Sequence, residues 1–211
     1  MFEVYLKELL KWNRKFNLTS ITKPDEIKLK HFEDSLSISQ VVNLTDQSII
    51  DIGAGAGFPG IPLKITFPQI QLALVEATRK KVEFLRHVVS TLNLKDVEII
   101  WGRAEEIVKD KREQYDISLS RAVAKLNVLS ELCLPFVKVG GIFVAYKEEK
   151  IEDEIQSAEN AIKILGGKIK EMKKVKLPDS EIIRSLIIIE KISPTPEKYP
   201  RHPGMAKKRP L

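Results

Sequence analysis

Cysteine is nearly absent from this 211-residue chain. The single cysteine, Cys133, has no partner for an internal disulfide, which favours a reducing compartment and predicts a cytoplasmic protein. Three scattered histidines and one cysteine give no zinc-ligand spacing, so we predict no metal site. No apolar run approaches the roughly 20 residues that span a bilayer, and the N-terminus lacks the pattern of a signal peptide. We expect one main domain that does not enter a membrane.

Positive charge is in excess, and much of it lies at the C-terminus. The chain has 35 Lys and Arg residues against 29 Asp and Glu residues. Residues 193–211 hold five of the basic residues, against Glu197 alone, and five of the 11 prolines. Because prolines at this density oppose helices and strand ladders, the composition predicts an extended basic arm or a disordered tail. A polyanionic partner and a plain solvated tail are both compatible with this charge.

Two helices are predicted at the N-terminus. Apolar residues recur at helical spacing over residues 2–16, and helix-start signals near Pro24 precede a second helical stretch to about Val42. An alternation of strands and helices comes next, with strands at "SIIDI", "QLALVEA", "VEIIW", "YDISLSRA" and "IFVAYK". The helix at "LNVLSELCLPFVKVGG" is predicted to end at its glycines.

The last two strands, "GKIKEMKKVKL" and "RSLIIIEKI", are joined by too short a break for a parallel crossover. We therefore expect an α/β fold with a mostly parallel seven-stranded sheet whose last strand is antiparallel. Its expected parts are a small helical cap at 1–45, a main domain at 46–192 and the basic arm at 193–211.

A glycine-rich turn comes after the first strand, in the stretch "IIDIGAGAGFPGIPL". Such a turn places backbone amides and a helix N-terminus at the carboxyl edge of the sheet, which is where α/β proteins bind nucleotides. "GAGFPG" matches the dinucleotide fingerprint GxGxxG, a weak motif alone. Asp51, Gly53, Gly55 and Gly57 also spell DxGxGxG, which resembles the first motif of class I methyltransferases.

Other features favour S-adenosylmethionine over NAD. Glu76 ends the second strand, where a carboxylate can accept hydrogen bonds from ribose hydroxyls of either cofactor. "GRAEEI" places Ala104 and Glu105 where class I methyltransferases commonly contact adenine, and the antiparallel closing hairpin is typical of that Rossmann-like fold. A solvated acid at the end of the strand is the alternative interpretation of Glu76.

The segment after the fourth strand narrows the target chemistry. Enzymes that methylate exocyclic amines usually carry an aromatic (D/N)PP(Y/F) motif there, and this chain has "SRAVAK". Methylation at carbon 5 of a pyrimidine needs a cysteine nucleophile, but Cys133 lies in an apolar helix. A nucleophilic target such as N7 of guanine requires no general base, only positioning and positive side chains.

Segments spread over the chain resemble one family, the bacterial small-subunit ribosomal RNA guanine methyltransferases, also called glucose-inhibited division protein B. The matching segments, in family order, are "WNRKFNLTSIT", "HFEDSL", "DIGAGAGFPGIPL", "SRA", "PTPEKYPRHPG" and "KKRPL". The resemblance implies transfer of a methyl group from S-adenosylmethionine to N7 of a guanine in small-subunit ribosomal RNA, near the decoding region. It implies S-adenosylhomocysteine as the product and the RNA or the small ribosomal subunit as the partner.

The resemblance and the strand positions together predict the site residues. Arg121 and Lys147 are predicted to be catalytic. Predicted to bind the cofactor are Asp51, Gly53, Gly55, Phe58, Glu76, Ala104, Glu105 and Arg121. Predicted to contact RNA are Asn13, Arg14, His31, Lys147, Arg201, Lys207 and Lys208.

Alternatives stay open at this point. Asn13 and Arg14 suit surface and capping roles equally well, and His31 and Asp34, three apart on a helix, suit a structural hydrogen bond. A nicotinamide-dependent oxidoreductase would use "GAGFPG" instead, and a non-catalytic RNA-binding assembly factor could retain the cofactor fold. We expect a monomer.

Overall fold

The computed structural model describes residues 1–121 and 124–211. Ala122, which ends the "SRA" segment, lies outside these described residues. The seven strands are β1 Ser48–Ile52, β2 Gln71–Glu76, β3 Val97–Trp101, β4 Tyr115–Arg121, β5 Val137–Glu148, β6 Gly167–Lys176 and β7 Ile183–Lys191. They form one sheet in the order β3-β2-β1-β4-β5-β7-β6.

The helices are α1 Phe2–Phe16, α2 Pro24–Ile27, α3 Asp34–Leu36, α4 Gly60–Thr66, α5 Arg79–Thr91, α6 Ala104–Lys111, α7 Leu126–Cys133, α8 Glu152–Ile164 and α9 Met205–Lys208. A π-helical segment at Lys28–Glu33 joins α2 to α3, and a 3₁₀ segment at Ser37–Gln40 comes after α3. In the part of the chain that is described, no helix is both long and apolar enough to cross a bilayer.

The direction of the strands confirms the predicted sheet. Strands β3, β2, β1, β4 and β5 are parallel neighbours, whereas β7 pairs antiparallel with both β5 and β6. The reversed strand lies between β5 and β6, and the short β6–β7 connection accounts for the antiparallel pairing of those two strands. The carboxyl ends of β1, β2, β4 and β5 therefore share one edge of the sheet.

Helices cover both faces of the sheet. Ile49 and its alternate neighbours along β1 face a core shared with α1, α4, α5 and the N-terminal helical segment. Ile50 faces a second core, shared with α6, α7 and α8. This alternation is what a strand buried on both faces requires. The N-terminal helices thus share a core with the sheet.

Two expectations are wrong. The helix predicted to run through "LNVLSELCLPFVKVGG" ends earlier: α7 stops at Cys133, a 3₁₀ turn comes next, and β5 begins at Val137 with Gly140 and Gly141 inside it. The C-terminal segment does form a helix, since α9 covers Met205–Lys208, and Ala206 is buried against α7. A short amphipathic turn after the prolines is enough for this packing.

Candidate functional site

The glycine loop between β1 and α4 is held in one shape by its neighbours. The amides of Gly53 and Ala54 donate to the carbonyl of Val75, and the hydroxyl of Tyr5 donates to the carbonyl of Ala56. Gly57 has φ +95°, and a Cβ there would lie within 2.8 Å of the Tyr5 hydroxyl. Glycine is therefore required at this position by both conformation and space.

Open space remains above the middle of the loop. Gly55 has φ +62°, and among the described residues a Cβ at Gly55 would have only the carbonyl oxygen of Gly53 within 4 Å, at 3.8 Å. Its amide donates to Oε2 of Glu76 at 3.0 Å. A ligand can approach the backbone closely here, as the predicted role requires.

Asp51 is the next-to-last residue of β1 and is fully buried beneath the loop. Its Oδ2 accepts a hydrogen bond from the Gly60 amide at 3.0 Å, whereas its Oδ1 has no partner among the described residues. Burial raises the pKa of this carboxyl from 3.8 to about 7, although the Gly60 amide and the nearby Arg121 act in the opposite direction. A buried oxygen without a partner is costly and suits a bound donor.

Glu76 lies at the carboxyl end of β2, next to the loop. Its two oxygens accept from the amides of Gly55 and Thr78, at 3.0 and 2.7 Å. A carboxylate oxygen can accept a second hydrogen bond, so both oxygens retain capacity for hydroxyl donors. Glu76 can therefore accept hydrogen bonds from ribose hydroxyls, as its position in the sequence predicts.

Ala104 and Glu105 begin α6, directly after β3. Both are nearly buried. Glu105 accepts from the amide of Gly204 at 3.0 Å and lies 3.5 Å from a guanidinium nitrogen of Arg103. The C-terminal segment therefore reaches the wall that is predicted to contact adenine.

Phe58 supports the loop through an aromatic cluster. Its ring stacks on His31 with centroids 4.5 Å apart, and the Arg121 guanidinium carbon lies 5.1 Å from the ring centroid. Tyr5 and Phe32 pack against the same ring. Because Phe58 is only 6% exposed, its side chain offers little surface to a ligand.

Arg121 joins the end of β4 to the N-terminal helical segment. Its Nη1 lies 3.1 Å from Oδ2 of Asp34, and its Nη2 lies 3.1 Å from Nδ1 of His31. Because arginine only donates, Nδ1 of His31 is the acceptor and the ring proton is on Nε2. Burial, with the positive charge of Arg121, lowers the pKa of His31 to about 4.

A hydrogen-bonded chain leads to this histidine. The Asn13 side chain makes two hydrogen bonds of 2.9 Å with the backbone of Thr19, whose hydroxyl lies 2.8 Å from Nε2 of His31. Asn13 and His31, both predicted to contact RNA, are thus linked to Arg121 through structural contacts. Arg14 is exposed on the same helix.

Asp34 is the buried anion of this region. It pairs with Arg121 on one oxygen and, at 3.3 Å on the other, with Arg184 of β7. The three side chains are 5% to 23% exposed. The carboxylate therefore holds two guanidinium groups in one place, which a lone surface pair would not do.

These groups line a cavity of about 430 Å³ at the carboxyl ends of β4 and β5. Lys147 lies in its wall, where Nζ donates to the carbonyl of Ala124 at 2.6 Å and pairs with Glu154. Lys30 and Lys150 also line the cavity. It is this cavity that brings the two predicted catalytic residues, Arg121 and Lys147, together.

The C-terminal basic residues separate into two groups. Arg201 pairs with buried Glu131 through three contacts of 2.5 to 2.9 Å, so its charge is used in docking the segment. Contact between Arg201 and RNA stays a prediction. Lys207 and Lys208 are exposed on α9.

The comparisons with known proteins agree with this geometry. The family described as "GidB: rRNA small subunit methyltransferase G" matches residues 1–183. The "Ribosomal RNA small subunit methyltransferase G" of Alkaliphilus metalliredigens is 52% identical over 98% of this chain and 88% of its own length. That of Thermoanaerobacter pseudethanolicus is 48% identical over 100% and 89%.

The chain belongs to the rRNA small subunit methyltransferase G family. It is a methyltransferase, and the sequence predicts S-adenosylmethionine as its methyl donor. The resemblance drawn from the sequence segments is confirmed.

Solved structures show the same fold at low identity. TYW2 of M. jannaschii in complex with AdoMet has a TM-score of 0.60 and 18% identity, covering 77% of this chain and 76% of that one. A precorrin-6y C5,15-methyltransferase from Geobacter metallireducens has a TM-score of 0.58 and 18% identity, covering 81% and 90%. The class I methyltransferase fold predicted from the sequence is confirmed.

The residues at the glycine loop fit the donor of this family. The open space at Gly55, the unpartnered oxygen of Asp51 and the spare acceptor capacity of Glu76 meet at one edge of the sheet. A carboxylate oxygen suits the amino group of a methionine portion, and Glu76 suits ribose hydroxyls.

Sequence reasoning missed three residues that organise the site. Arg184 could have been found as the charged residue at the start of an otherwise apolar strand, "RSLIIIEKI". Arg103 lies inside the segment "GRAEEI", beside the two residues that were predicted there. Glu131 lies in an apolar helix and gave no signal, since its partner Arg201 is 70 residues away.

Proposed function

We propose that this methyltransferase transfers the methyl group of S-adenosylmethionine to N7 of a specific guanine in small-subunit ribosomal RNA, by in-line displacement without a general base. The observation that carries the proposal is the cavity beside the glycine loop. It is rich in cations, and three of the four groups in its described lining that could act as a base are already engaged, whereas the fourth, Glu148, is exposed to solvent.

The engaged groups are His31, Asp34 and Glu154. The unprotonated nitrogen of His31 accepts from Arg121, and Asp34 pairs with two arginines. Glu154 pairs with Lys147 and accepts from the amide of Leu126. A nucleophile that must lose a proton would need one of these groups free, or would have to use the solvent-exposed Glu148. Guanine N7 carries a lone pair at neutral pH and has no proton to lose.

The cations have a direct use with such a substrate. The guanine O6 atom and the RNA phosphates are acceptors, and Arg121, Arg184, Lys30, Lys147 and Lys150 present donors around one cavity. When bound, S-adenosylmethionine supplies an electrophilic methyl group on a sulfonium. The chain's contribution is to orient the guanine, to hold its acceptors and to exclude water, because alignment alone removes much of the barrier.

Asp51, Gly55 and Glu76 would hold the donor, with Ala104 and Glu105 on the adenine side. Arg121 stands between the two regions, since it contacts Phe58 of the loop and lines the cavity. Its position supports the predicted catalytic role, in which it positions substrate and donor together. Asn13 and His31 then act by positioning Arg121.

The expected partner is small-subunit RNA, free or within the ribosomal subunit. The net charge of +6 supports a polyanionic partner. A cytoplasmic location, a monomeric state and the division into a cap, a main domain and a C-terminal segment stay predictions.

The test is transfer of a radiolabelled methyl group from S-adenosylmethionine to small ribosomal subunits from cells that lack this enzyme, followed by nucleoside analysis. We expect labelled 7-methylguanosine. Label in another nucleoside would contradict the N7 assignment. Cofactor binding with no transfer to subunits or to naked RNA would favour a non-catalytic assembly factor.

A further inference from the structure

A second basic feature lies outside the cavity, between α9, α6 and α7. It is a groove of about 390 Å³, within the roughly 300–1,000 Å³ range of small-ligand sites. Its lining residues are Arg103, Glu105, Ala124, Val128, Leu132, Gly204, Ala206, Lys207 and Lys208. None of them was needed to explain transfer of the methyl group itself, apart from the adenine-side Glu105.

The floor and the rim of the groove differ in chemistry. The floor is aliphatic, formed by Ala124, Val128, Leu132 and Ala206. The rim carries Arg103, Lys207 and Lys208. Among the described residues, neither lysine has a carboxylate within 4 Å. The one carboxylate in the lining, Glu105, already accepts from the Gly204 amide and pairs with Arg103.

The groove is built by docking of the C-terminal segment. Arg201 is clamped to Glu131, and the Gly204 amide is bonded to Glu105, on either side of the bend that leads into α9. Earlier in the segment, Arg112 donates to the carbonyls of Thr195 and Tyr199. These contacts fix α9 in place, so Lys207 and Lys208 are presented without the ordering cost of a loose tail.

The groove is next to the methyl-transfer cavity. Ala124 lines the groove, and its carbonyl accepts from Lys147, which lines the cavity. A nucleotide that flanks a guanine bound in the cavity is therefore within reach of the groove. An apolar floor accepts the face of a base, and a cationic rim binds phosphate.

We propose that this groove is a second RNA subsite, which takes one unpaired nucleotide flanking the target guanine, with its base on the aliphatic floor and its phosphate at Lys207 and Lys208. The proposal rests on the proposed function, since it takes RNA as the substrate. It adds a site and a role for the C-terminal segment that methyl transfer alone does not require.

The first test measures binding of a short fluorescein-labelled single-stranded RNA as a function of salt. The double variant Lys207→Gln/Lys208→Gln should make the plot of log association constant against log salt concentration less steep by about 1.4. Each phosphate contact to a single strand contributes about 0.7 to this slope. The affinity should fall roughly tenfold at moderate salt, and S-adenosylhomocysteine affinity should not change. The matched control is Lys168→Gln/Lys173→Gln, on the edge strand β6, which should change the slope by less than half as much.

Equal effects of the two double variants would overturn the proposal, because they would show long-range attraction and no subsite. The second test is photocrosslinking of the same RNA carrying 4-thiouridine to the wild-type chain. We expect crosslinked peptides from residues 124–132 or 204–209. Crosslinks confined to other peptides would also overturn it.

The two proposals fail in different ways. If the wild-type protein crosslinks through the groove but transfers no methyl group to small subunits, the subsite stands and the assigned reaction fails. If small subunits are methylated while the lysine variants bind RNA with unchanged slope, the reaction stands and the subsite fails.

Discussion

The cavity beside the glycine loop and the groove beside α9 are both cationic, but their charges are held differently. In the cavity, Arg121 and Arg184 share the buried carboxylate of Asp34, and Lys147 pairs with Glu154. In the groove, Lys207 and Lys208 are exposed, without a carboxylate partner among the described residues.

This difference suggests that the arginines of the cavity position the substrate, whereas the lysines of the groove attract it. A guanidinium fixed by a buried anion has one orientation, which suits the alignment of a reacting base. An exposed lysine is mobile and releases counterions when it meets a phosphate, which suits affinity. Removing a buried partner should therefore cost stability and rate, whereas removing an exposed lysine should cost binding alone.

The largest effect is expected for Asp34→Ala. Two partly buried guanidinium groups would lose their shared buried anion, so the free energy of unfolding should fall by about 3 kcal/mol. Methyl transfer should fall by roughly 100-fold or more, because Arg121 would lose its position. Urea denaturation and initial rates measure the two quantities.

Glu181→Ala is the matched control, since it removes the carboxylate of an exposed pair with Lys176. It should change stability by less than about 0.5 kcal/mol. If Asp34→Ala lowered the free energy of unfolding no more than Glu181→Ala does, the distinction between paired and unpaired cations would be wrong.

The next effect is expected for Arg201→Ala. Glu131, whose side chain is 1% exposed, would keep the backbone amide of residue 201 but lose both contacts with the guanidinium group, so the free energy of unfolding should fall by about 2 kcal/mol. Amide hydrogen exchange of residues 199–206 should accelerate, because the clamp would be lost. Arg209→Ala, an exposed arginine of the same segment, should leave both quantities unchanged. Protection of these amides in Arg201→Ala would show that the segment docks without the ion pair.

Asp51 is a buried acid, in contrast to the cations compared above, and one of its oxygens has no partner among the described residues. Its pKa of about 7 means that the carboxyl ionises near neutral pH. Between about pH 6 and pH 8, affinity for S-adenosylhomocysteine should rise about tenfold as the carboxylate forms. The folding stability of the ligand-free chain has the opposite pH dependence. Because the folded state holds the proton of Asp51 more tightly than the unfolded state does, the free energy of unfolding falls as pH rises from about 4 to 7.

Asp51→Asn should remove both dependences. Calorimetric titration with S-adenosylhomocysteine gives the affinities, and denaturation at each pH gives the stabilities. His31 does not interfere in this window, because its pKa is lowered to about 4. An unchanged pH dependence in Asp51→Asn would mean that another group controls cofactor binding.

The part of the site that local patterns encode could be predicted from the sequence. Asp51 and Glu76 lie at or next to the carboxyl ends of β1 and β2, and Gly55 lies in the loop that follows β1. Parallel strands bring their carboxyl ends to one edge of the sheet whatever the details of packing. The short connection between the last two strands likewise predicted the antiparallel hairpin of β6 and β7. These features depend on spacing of a few residues.

The parts that failed depend on distant partners. Gly140 and Gly141 suggested a helix end, but pairing with β4 extends β5 back to Val137, and an irregularity in register accommodates the glycines. The prolines suggested a loose tail, but the docking of Arg201 on Glu131 spans 70 residues. Asp34 and Arg184 are similarly far apart in the chain, and such distant pairs cannot be predicted from composition.

The smallest effect is expected when a lysine of the cavity loses its carboxylate partner. The variant tests whether that lysine then binds RNA as the unpaired lysines of the groove are proposed to do. Lys30 lines the cavity and pairs with Glu26 at 3.2 Å in a half-exposed pair one helical turn apart. Glu26→Gln should change the free energy of unfolding by less than about 0.5 kcal/mol, because exposed pairs contribute little. RNA affinity at low salt should rise about twofold, since Lys30 would gain the freedom of the groove lysines and the net charge would increase. Titration of the labelled RNA at two salt concentrations measures this, and a fall in affinity would show that Glu26 positions Lys30 as Asp34 positions Arg121.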